Sequence, residues 1–362
     1  MNKSELLAIL EKGILAPSAD NLQPWKFRID TNQIELLLDP ERLKNFCDEG
    51  CSVPYISAGA VIENIRIAAL DLGYETVCRY FPNEKNVTLV AMVRFSATSQ
   101  KNSWYLDALE KRVTNRKFYN PRKKITDDIY SQLSMSAKEE SQARLIWIRR
   151  EDPVYRKLTR LLGRADQLRF ENNRLITELT DCLRFNQTEV NRTKDGLDLK
   201  TFEAGPGGNL LFRLITLWKN STVLRLLGLS FVLGWYTQLQ LWSSQAIGLL
   251  ITNGDSAEDY VRGGEMMERL WHETTQLGLS LQPLEALPIF IINSNLTGSP
   301  DLTPKQREIL ERLKQDFYAS FGINSRNGLI LLFRIGYASL PSARSLRRPV
   351  ESFLIHEPIK VR

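Results

Sequence analysis

The feature that most constrains this chain is a hidden repeat. Residues 58–74 read AGAVIENIRIAALDLGY and residues 263–279 read GGEMMERLWHETTQLGL. An offset of 205 residues places Gly59 on Gly264, Glu63 on Glu268, Leu72 on Leu277 and Gly73 on Gly278. Both segments carry apolar residues at helical spacing and stop at Leu-Gly, a normal helix ending. The period is too long for a solenoid, whose units repeat every few tens of residues. After each helix come an extended segment and a strongly apolar strand, at 87–95 and at 329–335, and another apolar strand, 246–252, precedes the second helix. The pattern predicts an α+β fold of two related units, roughly 1–98 and 99–362, each with helices packed on a mainly antiparallel or mixed sheet.

The second unit is the longer. From its first strand (145–148) to its repeat helix it holds an excess of 83 residues over the first unit. The excess includes a helical stretch at 153–185, the turn Gly205-Pro206-Gly207-Gly208 and an apolar segment at 222–242. Insertions of that size usually form a lid or an interaction element. A lid at about 153–242 is therefore expected.

Composition excludes several classes. The formal charge is +6, with basic residues in short runs at 111–117, 122–124 and 344–348. None interleaves with aromatics as a single-strand platform does, and no standard nucleic-acid motif is present. A solvated basic surface is the default, followed by binding of a small phosphate. Cys47, Cys51, Cys78 and Cys182 form no C-x-x-C pair and read as reduced thiols of a cytoplasmic protein. The N-terminus has no apolar signal core. Residues 226–254 carry no charge but are interrupted by Thr237, Gln238, Gln240 and Ser243, so two buried elements are expected rather than a membrane span. His272-Glu273 lacks the second histidine of a zinc helix, because position 276 is Gln276. The glycines at 205–208 lack the Lys-Ser/Thr of a P-loop.

Four strings carry chemistry. Residues 16–27 read Ala-Pro-Ser-Ala-Asp-Asn-Leu-Gln-Pro-Trp-Lys-Phe. Pro17 is expected to stop a helix, and Pro24-Trp25 to open a strand. Between the prolines, Ser18, Asp20, Asn21 and Gln23 offer donors and acceptors on a stiffened loop, suited to a planar ligand with polar edges. Residues 112–118 read Arg-Val-Thr-Asn-Arg-Lys-Phe, so Arg112, Thr114, Asn115 and Arg116 gather guanidinium, hydroxyl and amide groups in one turn, as a phosphate prefers. Residues 277–285 end a helix at Gly278 and continue into a loop with Pro283, Leu284 and Glu285. The strand ending at Gly336 leads into a proline-bounded basic segment with Arg344, Arg347 and Arg348.

These strings resemble the nitroreductase-like FMN flavoproteins. The first is similar to that family's A-P-S-x-x-N-x-Q-P-W loop beside the flavin, and the second to its R-x-S-x-R-x-F opening on the FMN phosphate. The resemblance implies that the basic segment adds charge at the phosphate. It also implies that a backbone N–H of the proline loop approaches flavin N5. The first half has the loop but not the arginine opening; the second half has the opening and reads Met135-Ser136-Ala137 where its own loop should stand. Each half thus keeps what the other lost. This resembles the single-chain, Acg-like branch of the family: two nitroreductase-like units fused as a pseudo-dimer, one FMN site, a lid, and a monomer in solution.

The resemblance implies an oxidoreductase passing hydride from NAD(P)H through flavin N5 to an unidentified acceptor, with no essential catalytic side chain. Two alternatives stand beside it: an FMN-sequestering protein whose lid excludes nicotinamide, and a specialised biosynthetic dehydrogenase.

Overall fold

The computed structural model describes residues 1–43, 52–83, 85–138, 143–205, 207–218, 226–298 and 302–355. Cys47, Cys51 and His356 therefore lie outside the described residues; Cys78 and Cys182 are free thiols.

Two four-stranded sheets share one topology. The first runs Trp25–Asp30, Gln33–Leu38, Leu89–Ala97, Tyr74–Tyr80 in spatial order, and the second runs Ala143–Arg149, Ala246–Thr252, Gly328–Gly336, Ser280–Pro283. Every neighbouring pair is antiparallel. The strands of the two sheets correspond one to one in chain order and in position. The difference lies in one connection. The first two strands of sheet one are joined by Thr31-Asn32, whereas those of sheet two are separated by residues 150–245. The insertion expected near 153–242 replaces a hairpin turn.

The repeat helices, Ser52–Asp71 and Ala257–Gln276, cross at their glycines. A Cβ on Gly59 would lie 1.9 Å from the carbonyl oxygen of Val261, and one on Gly264 would lie 2.0 Å from that of Ile56. Val261 is the repeat partner of Ile56. The contact is therefore reciprocal, as across a two-fold axis. Glycine is required here because the two backbones touch. The Ser52–Asp71 helix is apolar and long enough to cross a membrane, but most of it is buried in this seam.

One core joins both halves. It includes Trp25, Phe27 and Val61 from the first and Val261, Leu270 and Phe333 from the second. The C-terminal segment returns to the first sheet, where the Ile355 N–H donates to the Phe27 carbonyl at 2.8 Å and Phe353 packs on Trp25 and Phe27. A second core fills the opposite face of sheet two, beneath helices Tyr155–Phe170, Ala286–Thr297 and Pro304–Phe321. The last two helices interrupt the direct run from extended segment to strand expected after the second repeat.

Two expectations are corrected. The first helix, Lys3–Gly13, ends a turn before Pro17, with the Ile14 N–H donating to Leu10. Carbonyls of residues 14–16 are thereby left for other partners. Of the two buried elements expected at 226–254, the strand Ala246–Thr252 is wholly buried. The helix Leu229–Trp242 is not, since Phe231 and Trp235 are exposed.

Candidate functional site

The loop after the first helix holds an unusual backbone. Asp20, Asn21 and Gln23 have φ of 47°, 56° and 53°. Asp and Asn tolerate this left-handed region through local hydrogen bonds, whereas glutamine gains nothing there. The surroundings impose it. The Gln23 N–H donates to Ser18 Oγ at 2.9 Å, and the Gln23 amide donates to Asn21 and Lys194 carbonyls at 3.2 and 2.9 Å. The Asn21 amide donates to the carbonyls of Gly196 and Leu346, both at 3.1 Å. Arg347 donates to Asn21 Oδ1 at 2.8 Å and to carbonyls of Ile14, Leu15 and Ala16, those left free by the early helix end. First half, insertion and C-terminal segment are thus bonded into one wall.

That wall bounds a cavity of about 680 Å³, within the range of small-molecule sites. Pro17, Ser18 and Asn21 line it, as do Arg112, Thr114 and Arg116. Arg344 and Arg347 approach from the C-terminal segment, and Pro283, Leu284 and Glu285 from the proline loop. Residues from four separate strings meet there.

Gln23, Asn115 and Arg348, expected at the cofactor, do not line the cavity. Gln23 is fully buried and spent on the loop. The Asn115 amide donates to Ser280 Oγ at 3.0 Å and to the Ser339 carbonyl at 2.9 Å, pinning the arginine string to the second sheet. Arg348 donates its backbone N–H to Gln23 Oε1 at 3.0 Å and lies over Phe353. These three shape the wall from behind.

Six arginines line the cavity, and four of them, Arg112, Arg116, Arg344 and Arg347, come from the strings that carry chemistry. Arg112 is buried, 3.0 Å from Glu268 Oε1, and donates to the Leu15 carbonyl at 2.7 Å. Arg116 donates to the Thr201 carbonyl and lies over the Phe202 ring. Burial pulls it down to about 10, opposed chiefly by Asp20. Arg344 donates to the carbonyls of Glu110 and Arg112. Burial, then the charges of Arg112 and Arg344, pulls Arg347 down to about 9. Such a cluster repels itself, and an anion among these arginines relieves it.

Reasoning from sequence named Asp20 as a polar group of the loop and missed its partners: it lines the cavity with its carboxyl pushed up by burial against the opposing charges of Arg169 and Arg116. It also missed Met267 and Trp271 from the second repeat helix and Ile56 and Ser57 from the first. The repeat itself was the available signal for these four, because its seam forms the cavity floor. In the proline loop, Pro283 has no N–H and the Leu284 N–H donates to the Leu332 carbonyl at 2.8 Å. The Glu285 N–H is the remaining candidate donor of that string.

Asp195 fastens the insertion to the first half. Its carboxylate receives hydrogen bonds from Arg42 of the first half and Arg184 of the insertion, both at 2.9 Å. Burial pushes this carboxyl up, but the two arginines outweigh burial and hold it below the usual aspartate range. A small apolar core including Ile176, Leu179, Phe212 and Leu233 stiffens the insertion.

No family model matches the chain. It is 26% identical over 352 residues to "Uncharacterized protein MT1398" of Mycobacterium tuberculosis, covering 95% of this chain and 47% of that protein. The chain thus spans about half the length of that relative. It is 30% identical over 81 residues to "Putative NAD(P)H nitroreductase acg" of the same organism, covering 22% of this chain and 24% of that one. Among solved structures, the FMN and NADPH-dependent nitroreductase NfnB from Sphingopyxis aligns with TM-score 0.38 at 10% identity, over 70% of this chain and 99% of that chain. The chain is similar to nitroreductase-like proteins, as its motifs led us to expect.

Proposed function

We propose that this chain is an FMN-dependent oxidoreductase of the nitroreductase type, with one cofactor site built between two fused halves. The observation that carries the reading is the convergence of four guanidinium groups and the strained Pro17–Asn21 loop on one cavity. The donor set fits the cofactor: Arg112, Arg116 and Arg344 suit its phosphate, with Thr114 beside them, while Arg347, its N–H groups spent on carbonyls and Asn21, adds charge. Ser18 presents its hydroxyl to a ring edge, and Asn21 holds the loop that carries it. Bound there, FMN would supply a two-electron centre that accepts hydride from a nicotinamide and passes it on. The Glu285 N–H, fixed at the start of the Ala286–Thr297 helix, would stabilise negative charge developing on the ring. No protein nucleophile is required.

The Asp195 fastening and the Gln23–Lys194 bond favour a second reading, in which the lid shuts nicotinamide out and the chain stores FMN. The absorption spectrum of the purified protein tests the cofactor. A colourless protein that takes up no FMN overturns both readings, and Arg116→Ala should lower FMN retention. Anaerobic mixing with NADPH then separates them: rapid bleaching supports the oxidoreductase, and a persistently yellow protein supports storage. As a fused pair of units the chain should elute as a monomer.

A further inference from the structure

The cavity continues past the arginines. Beyond the proline loop it enters a recess walled by Ala286–Thr297 on one side and by Tyr155–Phe170, Asn173–Cys182 and Leu229–Trp242 on the other. Its lining there is mostly apolar, with Ala286, Ile289 and Phe290 facing Leu162, Phe170 and Leu233. The charged groups that share this space largely satisfy one another. Arg174 donates to Glu178 at 3.0 Å, and Asp166 accepts from Thr237 Oγ1 at 2.6 Å. Two polar atoms do not take part. Glu285 Oε1 and Asn293 Oδ1 are buried without a hydrogen-bond partner, and both residues line the cavity.

Buried acceptors left unpaired cost about 1–3 kcal/mol each, so a partner for them is worth having. Glu285 and Asn293 are two helical turns apart, on the same face as Ile289, which puts them roughly 12 Å apart along the axis. The terminal torsions of Glu and Asn are soft, and one rotation of either brings its oxygen to the cavity. Glu285 also follows the loop that we place against the cofactor, so one end of the recess adjoins the reacting face.

We infer that this recess is the site of the second substrate, an elongated, largely apolar molecule with a hydrogen-bond donor at each end, held by Glu285 near the cofactor and by Asn293 at the far end. The assignment rests on the cofactor reading above and adds the class of molecule that the site accepts. Above pH 8, where the Glu285 carboxyl is ionised, an acceptor-only molecule of the same length is refused, because it would leave both oxygens unpaired and set its own lone pairs against them. The insertion supplies every one of these helices but Ala286–Thr297, which gives residues 150–245 a role in selecting substrate as well as in covering the site.

Calorimetric titration of the FMN-loaded protein at pH 9, where the Glu285 carboxyl is ionised, tests this with 4,4′-dihydroxybiphenyl, 4-phenylphenol and biphenyl-4,4′-dicarboxylate as probes. The diol should bind one per chain, with the dicarboxylate at least about tenfold weaker, the discrimination expected from unpaired buried groups. Asn293→Leu should bring the diol to the affinity of 4-phenylphenol. Ile289→Trp, which fills the recess, should remove binding of both while the flavin spectrum stays unchanged. Failure of the diol to bind, equal binding of the dicarboxylate, or diol binding undiminished in Ile289→Trp overturns the inference. Flavin content is read separately, so a flavin-loaded protein that ignores the diol refutes the recess and leaves the cofactor reading intact. A flavin-free protein that binds the diol does the reverse.

Discussion

Replacing Gly59 by alanine probes the seam on which the whole architecture depends. The new methyl carbon would sit 1.9 Å from the Val261 carbonyl oxygen and 2.9 Å from the Gly264 Cα, both backbone atoms. Ordinary contact begins at 3.4 Å, so the helices must separate by about 1.5 Å at their crossing. No rotamer change can absorb that. Overpacking of a core typically costs 1–3 kcal/mol, and a clash between two backbones belongs at the upper end, about 3 kcal/mol. Gly264→Ala should cost the same, since its methyl would lie 2.0 Å from the Ile56 carbonyl oxygen. One displacement relieves both clashes, so the double variant should lose little more than either single one. Urea unfolding followed by fluorescence should show each midpoint lowered by about 1 M at unchanged slope. Gly207→Ala, whose methyl would meet nothing within 4 Å, is the control. The same separation shifts Ile56 and Ser57 relative to Met267 and Trp271 in the cavity floor, so flavin retention should fall with stability. The reasoning is refuted if either single variant unfolds within about 0.5 kcal/mol of the parent, or if the two losses simply add.

Other substitutions test the site's electrostatics. Glu268→Gln breaks a buried pair with Arg112 and should cost about 3–5 kcal/mol in thermal unfolding. Burial pushes the Glu268 carboxyl up, but Arg112 and His272 outweigh it and hold it below its ordinary 4.5. Its contribution is therefore present above pH 4.5 and lost as pH falls through the folded value, and melting curves of Glu268→Gln in acid should lack that loss. Glu285 behaves oppositely: burial, opposed by the Leu332 N–H, pushes it up to about 8 from an ordinary 4.5. Stability from this group is full below pH 4.5 and declines as pH rises towards 8, and Glu285→Gln should flatten melting temperature across that interval. Asp195→Asn loosens the lid's ties to Arg42 and Arg184, and should speed FMN release on dilution by about tenfold, the worth of one charged hydrogen bond.

Much of the site was legible because its chemistry lies in short strings. Arg112, Thr114 and Arg116 could be picked out because a phosphate needs their donors close together, and all three line the cavity. Gln23, Asn115 and Arg348 belong to the same strings yet face away from it. Whether an amide or guanidinium meets a ligand or a carbonyl of its own chain depends on which loops pass behind it. For Gln23 that loop is residue 194 of the insertion, 171 positions away. The surroundings of Asp20 escaped notice for the matching reason. Its partners Arg116 and Arg169 come from separate elements, and only the folded chain puts a carboxyl between them.

The repeat decided more than any other feature. From periodicity and its two glycines the sequence alone determined that the chain would hold two helices of one kind, two sheets and a long insertion in the second half. Periodicity records which face of an element is buried, and a glycine records a place where a side chain cannot go. Neither records what lies opposite. Tertiary structure decided that Gly59 and Gly264 meet each other, that the insertion replaces a two-residue turn, and that the C-terminal segment crosses back to the first sheet. It also decided that the arginine cluster opens into an apolar recess, because that space exists only where helices from distant parts of the chain fail to touch.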